Sequence, residues 1–428
     1  MKAFKNVTLV TCDEEFQIFK EGLLVIDRDK INYCGSMDVS VLERCEEVVD
    51  GEGSWILPGL VNCHTHSPMT VLRGIRDDSN LHEWLEDYIW PAESQFTPEV
   101  TTQAVKMALC EMLRSGTTTF NDMYNPQGVD IRAIYQAVKT SGMRCYFSPT
   151  LFSKQEESSD QTIARTRQTI EEILSYQDER FRVMVAPHSP YTCSRELLEK
   201  SRALAEDLGL KLHIHVAETE QESQIILENH GKRPLAYLDS LGYLDWPAIF
   251  AHGVELNQEE IARLGQSQAG IAHNPISNLK LASGIAPITE LQKQGVTVGI
   301  ATDSVASNNN LDLFEEGRTA ALLQKMRTGD AREFSIEVAL KAMTIEGAKL
   351  LGMEQEIGSL EVGKQADFLM IQPKGKVHLY PRERMLSHLV YAAKGQDVDH
   401  VYIAGQQVVR DGEVLTVYMR EIFENPLL

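Results

Sequence analysis

The chain has 428 residues, 24% of them charged and 43% hydrophobic, the composition of a folded protein with material for one large domain and a smaller one. Its net charge of −21, from 41 basic and 62 acidic residues, repels phosphate backbones and anionic lipid heads, so neither nucleic acid nor membrane is an expected partner. No apolar run is long enough to span a bilayer, and Met1-Lys2-Ala3-Phe4-Lys5 lacks the apolar core of a signal peptide. The seven cysteines are scattered without a Cys-x-x-Cys pair, so free thiols in a reducing cytoplasm are expected.

Residues 1–57 read as short strands. Val7-Thr8-Leu9-Val10 and Gly22-Leu23-Leu24-Val25-Ile26 are rich in β-formers, with a turn at Asp27-Arg28-Asp29-Lys30. The C-terminal stretch is similarly β-rich, with a strand over 366–371, a hairpin over 400–409 and a turn at Asp411-Gly412. Neither end buries a good core alone. The expectation is therefore one small β-sandwich domain composed of residues 1–57 and 366–428, flanking a domain of residues 58–365. In that middle domain, strand-like runs at 56–63, 117–122, 143–151, 181–187, 211–217, 248–254, 270–274 and 296–302 alternate with helical patterns. Thr97-Pro98 reads as an N-cap followed by proline at the first helical position, and the helix ends near Ser115-Gly116. Eight such repeats predict a TIM (β/α)8 barrel. The connection from Glu218 to Ile249 leaves room for extra helix.

In such a barrel, catalytic groups sit at the C-terminal ends of the strands. The first strand delivers His64 and His66 at i and i+2, on one side of an extended chain. The fourth ends in His188, the fifth in His215 with Glu218 just beyond, the sixth in His252, the seventh in His273 and the eighth in Asp303. Seven of the twelve histidines (those named and His213) fall at or near such ends, which turns a weak His-x-His motif into the expectation of a metal site. His64, His66, His215 and Asp303 suit one divalent metal, zinc first and ferrous iron second. His213 competes for the place of His215, and Asp303 could instead cap the following helix. No lysine occurs in 181–188, so a carbamylated-lysine bridge between two metals is not expected. A metal lowers the pKa of bound water to about 7. Asp303 would hold and deprotonate that water, with His252 hydrogen-bonded to it, while Glu218 carries a proton to the substrate. The alternatives are a second-metal role for His252 and a solvated loop carboxylate for Glu218. Leu81, Trp84, Leu85 and Tyr88 form a helical stripe read mainly as packing.

Six motifs recur in one order along nearly the whole chain: Pro58-Gly59-Leu60-Val61-Asn62-Cys63-His64-Thr65-His66, Trp90-Pro91-Ala92-Glu93, Ser115-Gly116-Thr117-Thr118-Thr119, His215-Val216-Ala217-Glu218-Thr219, His273-Asn274-Pro275-Ile276-Ser277-Asn278-Leu279-Lys280 and Thr302-Asp303-Ser304-Val305-Ala306-Ser307-Asn308-Asn309. Through them the sequence resembles the amidohydrolase superfamily. Within it, the chain looks like the 5-methylthioadenosine/S-adenosylhomocysteine deaminases, in a group that also holds chlorotriazine hydrolases and guanine deaminase relatives. The resemblance implies a mononuclear zinc site of His64, His66, His215 and Asp303. It also implies attack of hydroxide at C6 of an adenosine-type nucleoside, loss of ammonia, and protonation of a ring nitrogen by Glu218. Glu93 matches the family glutamate that binds the ribose hydroxyls, and His188 a residue near the 5′ substituent. A homo-oligomer is a further family expectation.

One departure bears on substrate choice. Family members that take S-adenosylhomocysteine place an arginine after strand three to hold the amino-acid carboxylate, whereas Phe147-Ser148-Pro149-Thr150-Leu151-Phe152 contains none. Arg165 and Arg167 come later as candidate substitutes. Loss of a bidentate carboxylate partner predicts a preference for small or apolar 5′ groups. Rival expectations are a hydrolase of another amino- or chloro-substituted heterocycle (triazine, guanine or pterin) and a catalytically silent ligand-binding scaffold.

Overall fold

The structure, a computed structural model, describes residues 1–124 and 128–417. The chain opens with β1 (Lys2–Val10), β2 (Ile18–Asp27), β3 (Lys30–Ser36) and β4 (Glu47–Pro58). Strand β1 pairs antiparallel with β2 and parallel with β4. Alternation along β2 sends Leu24 and Ile26 to a core shared with Phe4 and Phe368, and Leu23 and Val25 to a small cluster with Ala3 and Val41.

The apolar run expected as one strand over 56–63 is divided between two sheets. The next strand, β5, covers Leu60–Thr65, and Gly59 separates it from β4. A Cβ on Gly59 would lie 2.2 Å from Thr118 Oγ1, so only glycine allows this close approach. There follow β6 (Thr117–Tyr124), β7 (Arg144–Leu151), β8 (Phe181–Arg182), β9 (Ala186–Pro187), β10 (Leu212–Val216), β11 (Ala248–His252), β12 (Gly270–His273) and β13 (Val298–Ile300). Strands β5 to β8 form one parallel sheet with β9 also on β7, and β10 to β13 form another. The expected strand over 181–187 is thus two short pieces, both paired to β7. Bridges Val185–Leu212 and Thr65–Asp303 join the two sheets along both pairs of edges, giving a curled parallel sheet. Helices alternate with its strands along the chain, and runs such as Ile249-Phe250-Ala251 are fully buried, Phe250 and Ile249 in separate apolar clusters. The helix Pro98–Arg114 starts at the Thr97 N-cap, and the helices Glu220–His230 and Pro234–Asp239 fill the long connection after β10.

The chain then returns to β4 through β14 (Phe368–Ile371), β15 (His400–Ile403), β16 (Gln406–Arg410) and β17 (Glu413–Val414). Both chain ends therefore share one eight-stranded sheet, ordered β17-β16-β15-β14-β4-β1-β2-β3. Ala404-Gly405 and Asp411-Gly412 turn with positive φ, the conformation that two-residue hairpins require. Lys30, opening edge strand β3, bridges to Gln365 just before β14, so this sheet also curls. A buried ion pair, Arg144 Nε to Asp367 Oδ2 at 2.7 Å, fastens the parallel sheet to the terminal one. Residues 418–428, the remainder of the expected β domain, lie outside the described residues. No described helix is long and apolar enough to cross a membrane.

Candidate metal centre and active site

The ends of β5, β10, β11 and β13 bring six of the expected residues to one place. His64 and His66 leave β5, His215 lies on β10, His252 ends β11, and Glu218 and Asp303 follow their strands within three residues. Ala217, His252 and Asp303 hold φ values of 51°, 75° and 58°, left-handed conformations that turn the chain sharply at the strand ends.

His66 Nε2 is 3.2 Å and His64 Nε2 3.4 Å from Asp303 Oδ1, and His215 Nε2 is 3.4 Å from His66 Nε2. Tetrahedral zinc with bonds of about 2.0–2.1 Å holds its ligand atoms about 3.3 Å apart. The opposite ring nitrogens are already engaged. His66 Nδ1 donates to the carbonyl of Met123, His215 Nδ1 donates to the carbonyl of His188 at 2.7 Å, and His64 Nδ1 lies 2.9 Å from His213 Nε2. Those contacts turn the Nε2 atoms inward, as ligand-orienting partners do. His64 Nε2 is buried and makes no hydrogen bond. Asp303 Oδ2 accepts from Ser277 Oγ at 2.6 Å and Ser307 Oγ at 3.1 Å, which aims Oδ1 at the histidines. These residues fit a divalent cation in number, donor type and spacing.

The electrostatics agree. Burial lowers His64 to about 4 and holds His215 well below the usual imidazole range, so both rings are neutral. Burial also disfavours a charged His66, but the hydrogen bond and charge of Asp303, the Met123 carbonyl and the charge of Asp122 together outweigh it and raise that pKa. Burial would raise Asp303, yet the imidazoles of His64 and His66 beside it hold it well below the carboxylate range. A cation among these atoms would displace the proton they share.

His252 stands beside this cluster with Nδ1 donating to Asn278 Oδ1 at 2.8 Å, which leaves Nε2 toward Glu218 Oε2 at 3.8 Å. Burial pushes the Glu218 carboxyl up to about 8, and the charge of Asp303 adds to the effect. His66, His215, Glu218, His252 and Asp303 line one cavity of about 790 Å³. Glu93 and His188 line it as well. Glu93 is half-buried and raised to about 7 by burial, against a hydrogen bond from Tyr124. His188 is packed against Phe152, with ring centres 4.4 Å apart, and burial keeps it neutral.

Some expected residues stand elsewhere. His273 ends β12 fully buried but does not line the cavity, and His213 lies behind His64 rather than in the place of His215. Arg165 pairs with Glu157 at 3.0 Å and Arg167 with Asp207 at 2.6 Å, and neither reaches the cavity. Leu81, Trp84 and Leu85 are buried, as packing residues would be, but they also form part of the cavity wall. Sequence reasoning missed Lys154, Phe152 and Tyr124 on that wall, and the carbonyls of Met123 and His188, which no side-chain pattern announces.

A curled parallel sheet with this donor set at one end of its strands defines a class, and the sequence profile of the amidohydrolase family matches residues 55–408. The chain belongs to that family. It is 48% identical to 5-methylthioadenosine/S-adenosylhomocysteine deaminase of Bacillus cereus strain AH820, across 98% of this chain and 97% of the relative. The protein of the same name from Bacillus cytotoxicus is 46% identical, across 99% and 97%. Among solved structures, an adenosine deaminase from Xanthomonas campestris with bound zinc superposes with a TM-score of 0.92 at 33% identity, covering 99% of this chain and 96% of that one. Atrazine chlorohydrolase from Arthrobacter aurescens TC1, complexed with zinc, shares the fold with a TM-score of 0.88 at 24% identity, covering 99% of each chain.

Proposed function

We propose that this protein is a zinc-dependent aminohydrolase of adenosine-type nucleosides, converting 5-methylthioadenosine and its analogues to the inosine-type product and ammonia. The observation that carries the reading is the convergence of three imidazole Nε2 atoms and Asp303 Oδ1 beside a buried, proton-holding Glu218 in one cavity. The names and zinc of the relatives support it. His64, His66, His215 and Asp303 would hold the metal, with ferrous iron compatible with the same donors. When bound, it supplies Lewis acidity and lowers the pKa of water to about 7.

The chain's own groups do the rest. Asp303 Oδ1 takes a proton from the attacking water while Ser277 and Ser307 keep its other oxygen in place. His252 Nε2, fixed by Asn278, accepts a hydrogen bond from that water. Glu218 delivers its proton to the ring nitrogen beside C6. Asp303 then passes the proton it took from water to the amino group, the C6–N bond breaks to release ammonia, and the C6 hydroxyl proton returns to Glu218 as the carbonyl forms. Glu93 accepts from the ribose hydroxyls, and His188 with Phe152 packs against the 5′ group. Lys154 is the one lysine or arginine among the residues lining the cavity, and it makes no ion pair with a described residue. A carboxylate at the 5′ end would meet Lys154 rather than an arginine fork; a point charge holds it less well than bidentate pairing. That supports a preference for small or apolar 5′ groups.

The architecture is read in the same terms. The joins at both edges of the parallel sheets support a closed (β/α)8 barrel over 58–365. The curl of the shared terminal sheet supports a β-sandwich from 1–57 and the described residues after 366.

The test is ammonia release from 5-methylthioadenosine by zinc-loaded protein, with the inosine-type product quantified in parallel. Equal amounts of both are expected. Release from a triazine, guanine or a pterin, with none from any adenosine-type nucleoside, would replace this reading with the heterocycle one. No turnover of either group would favour a silent scaffold.

A further inference from the structure

We propose that Glu222 is a positioning residue that sets the Glu218 carboxyl over the metal centre. The inference rests on the reaction proposed above. After β10 the chain turns at Ala217, held left-handed at φ 51°, and enters the helix Glu220–His230 through the Thr219 N-cap. Thr219 Oγ1 already caps that helix by accepting from Glu222 N at 3.2 Å. The Glu222 side chain is 1% exposed and does not bond the N-cap amide. It folds back past it, with Oε1 accepting from Ala217 N at 3.1 Å and Oε2 accepting from Glu218 N at 2.8 Å. Two successive amides brought together by a left-handed residue form a concavity for acceptor oxygens, and here it takes both oxygens of the chain's own carboxyl.

Burial pushes the Glu222 carboxyl up to about 8, so burying this polar group is costly, and capping the helix does not require it. What it secures is the pair of peptide units that carry Glu218. From the other side Glu255 N donates to the Ala217 carbonyl at 2.8 Å, so the turn is clamped by donors and acceptors together. Only a glutamate fits. Aspartate is one methylene too short, and glutamine would set an NH2 group against one of the two N–H donors.

The decisive experiment compares wild type, Glu222→Gln, Glu218→Gln and the double variant, with Ser335→Ala as a control that removes a distant helix cap. Hydrogen exchange of the metal-free proteins comes first and needs no substrate. The Ala217 and Glu218 amides should lose protection by at least about tenfold in Glu222→Gln, with the β10 amides unchanged. Turnover of 5-methylthioadenosine comes second. Glu222→Gln should bind one zinc per chain with KM within about threefold of wild type, while kcat falls by about 30-fold or more. Added to Glu218→Gln, it should cost nothing further, because it acts through that side chain. Ser335→Ala should lower Tm and leave kcat alone. Unchanged amide protection, or an equal kcat loss in the Glu218→Gln background, overturns the inference. A wild type inactive on every nucleoside overturns the reaction reading instead, and the exchange data still decide the positioning.

Discussion

Glu218→Gln is the substitution whose size the structure sets most directly. A carboxyl titrating at about 8 is roughly nine-tenths protonated at pH 7, whereas one at the ordinary 4.5 holds a proton in roughly three molecules per thousand. Burial thus enlarges the proton-carrying population roughly 300-fold, worth about 3 kcal/mol. Glutamine keeps the shape and the hydrogen bond but has no proton to give. The expected loss in kcat on 5-methylthioadenosine is roughly 10²- to 10⁴-fold, with one zinc still bound per chain. The pH profile carries the sign: Glu218 is neutral below about 8 and charged above it, so wild-type kcat/KM should decline as pH rises through that value. Ammonia release measured from pH 6 to 10, with metal content assayed on the same samples, checks both. Activity within tenfold of wild type in zinc-replete Glu218→Gln would refute the proton-carrier assignment.

Further outcomes follow from the same geometry. Glu93→Ala should raise KM for nucleosides about tenfold or more and spare free bases. Because its carboxyl titrates at about 7, wild-type KM should rise as pH falls below that value and the acceptor is lost. Lys154→Met should lower kcat/KM for S-adenosylhomocysteine by about tenfold and leave 5-methylthioadenosine unchanged; wild-type values comparable for the two substrates would sink the preference for small 5′ groups. Arg144→Met strands the buried Asp367 carboxylate, so chemical denaturation should report a loss of about 3–5 kcal/mol. Gly299→Ala places a Cβ 2.3 Å from Cys63 Sγ, beneath the strand end that carries His64. Overpacking there should cost about 1–3 kcal/mol, read as a lower Tm.

Much of the site was legible because strand periodicity and strand ends are local properties. His64 and His66 two residues apart, and acids or histidines closing several apolar runs, can be found without coordinates, since a β-strand puts i and i+2 on one side. That Glu222 reaches past the Thr219 cap to Ala217 and Glu218 was not legible, because those bonds depend on the turn at Ala217. The division of residues 56–63 between two sheets was hidden as well. Apolar content looks the same on either side of Gly59, and only the neighbours that pair with β4 and β5 separate them. The fourth strand breaks between Arg182 and Ala186 for a comparable reason, its ladder being decided by β7 rather than by its own residues.

Residue type alone supplied the donors a metal site needs, because imidazole and carboxylate chemistry travels with the side chain. Tertiary structure decided which histidine does what. Spacing from Glu218 only favours His215 over His213, yet in the fold one meets the back of His64 while the other has its Nδ1 held by a backbone carbonyl and its Nε2 turned inward. It likewise separated Lys154, on the cavity wall, from Arg165 and Arg167, whose charges are taken up by Glu157 and Asp207. Sequence carries the donors, but coordination and charge pairing depend on distances across the fold, which are set only when elements far apart in the chain pack together.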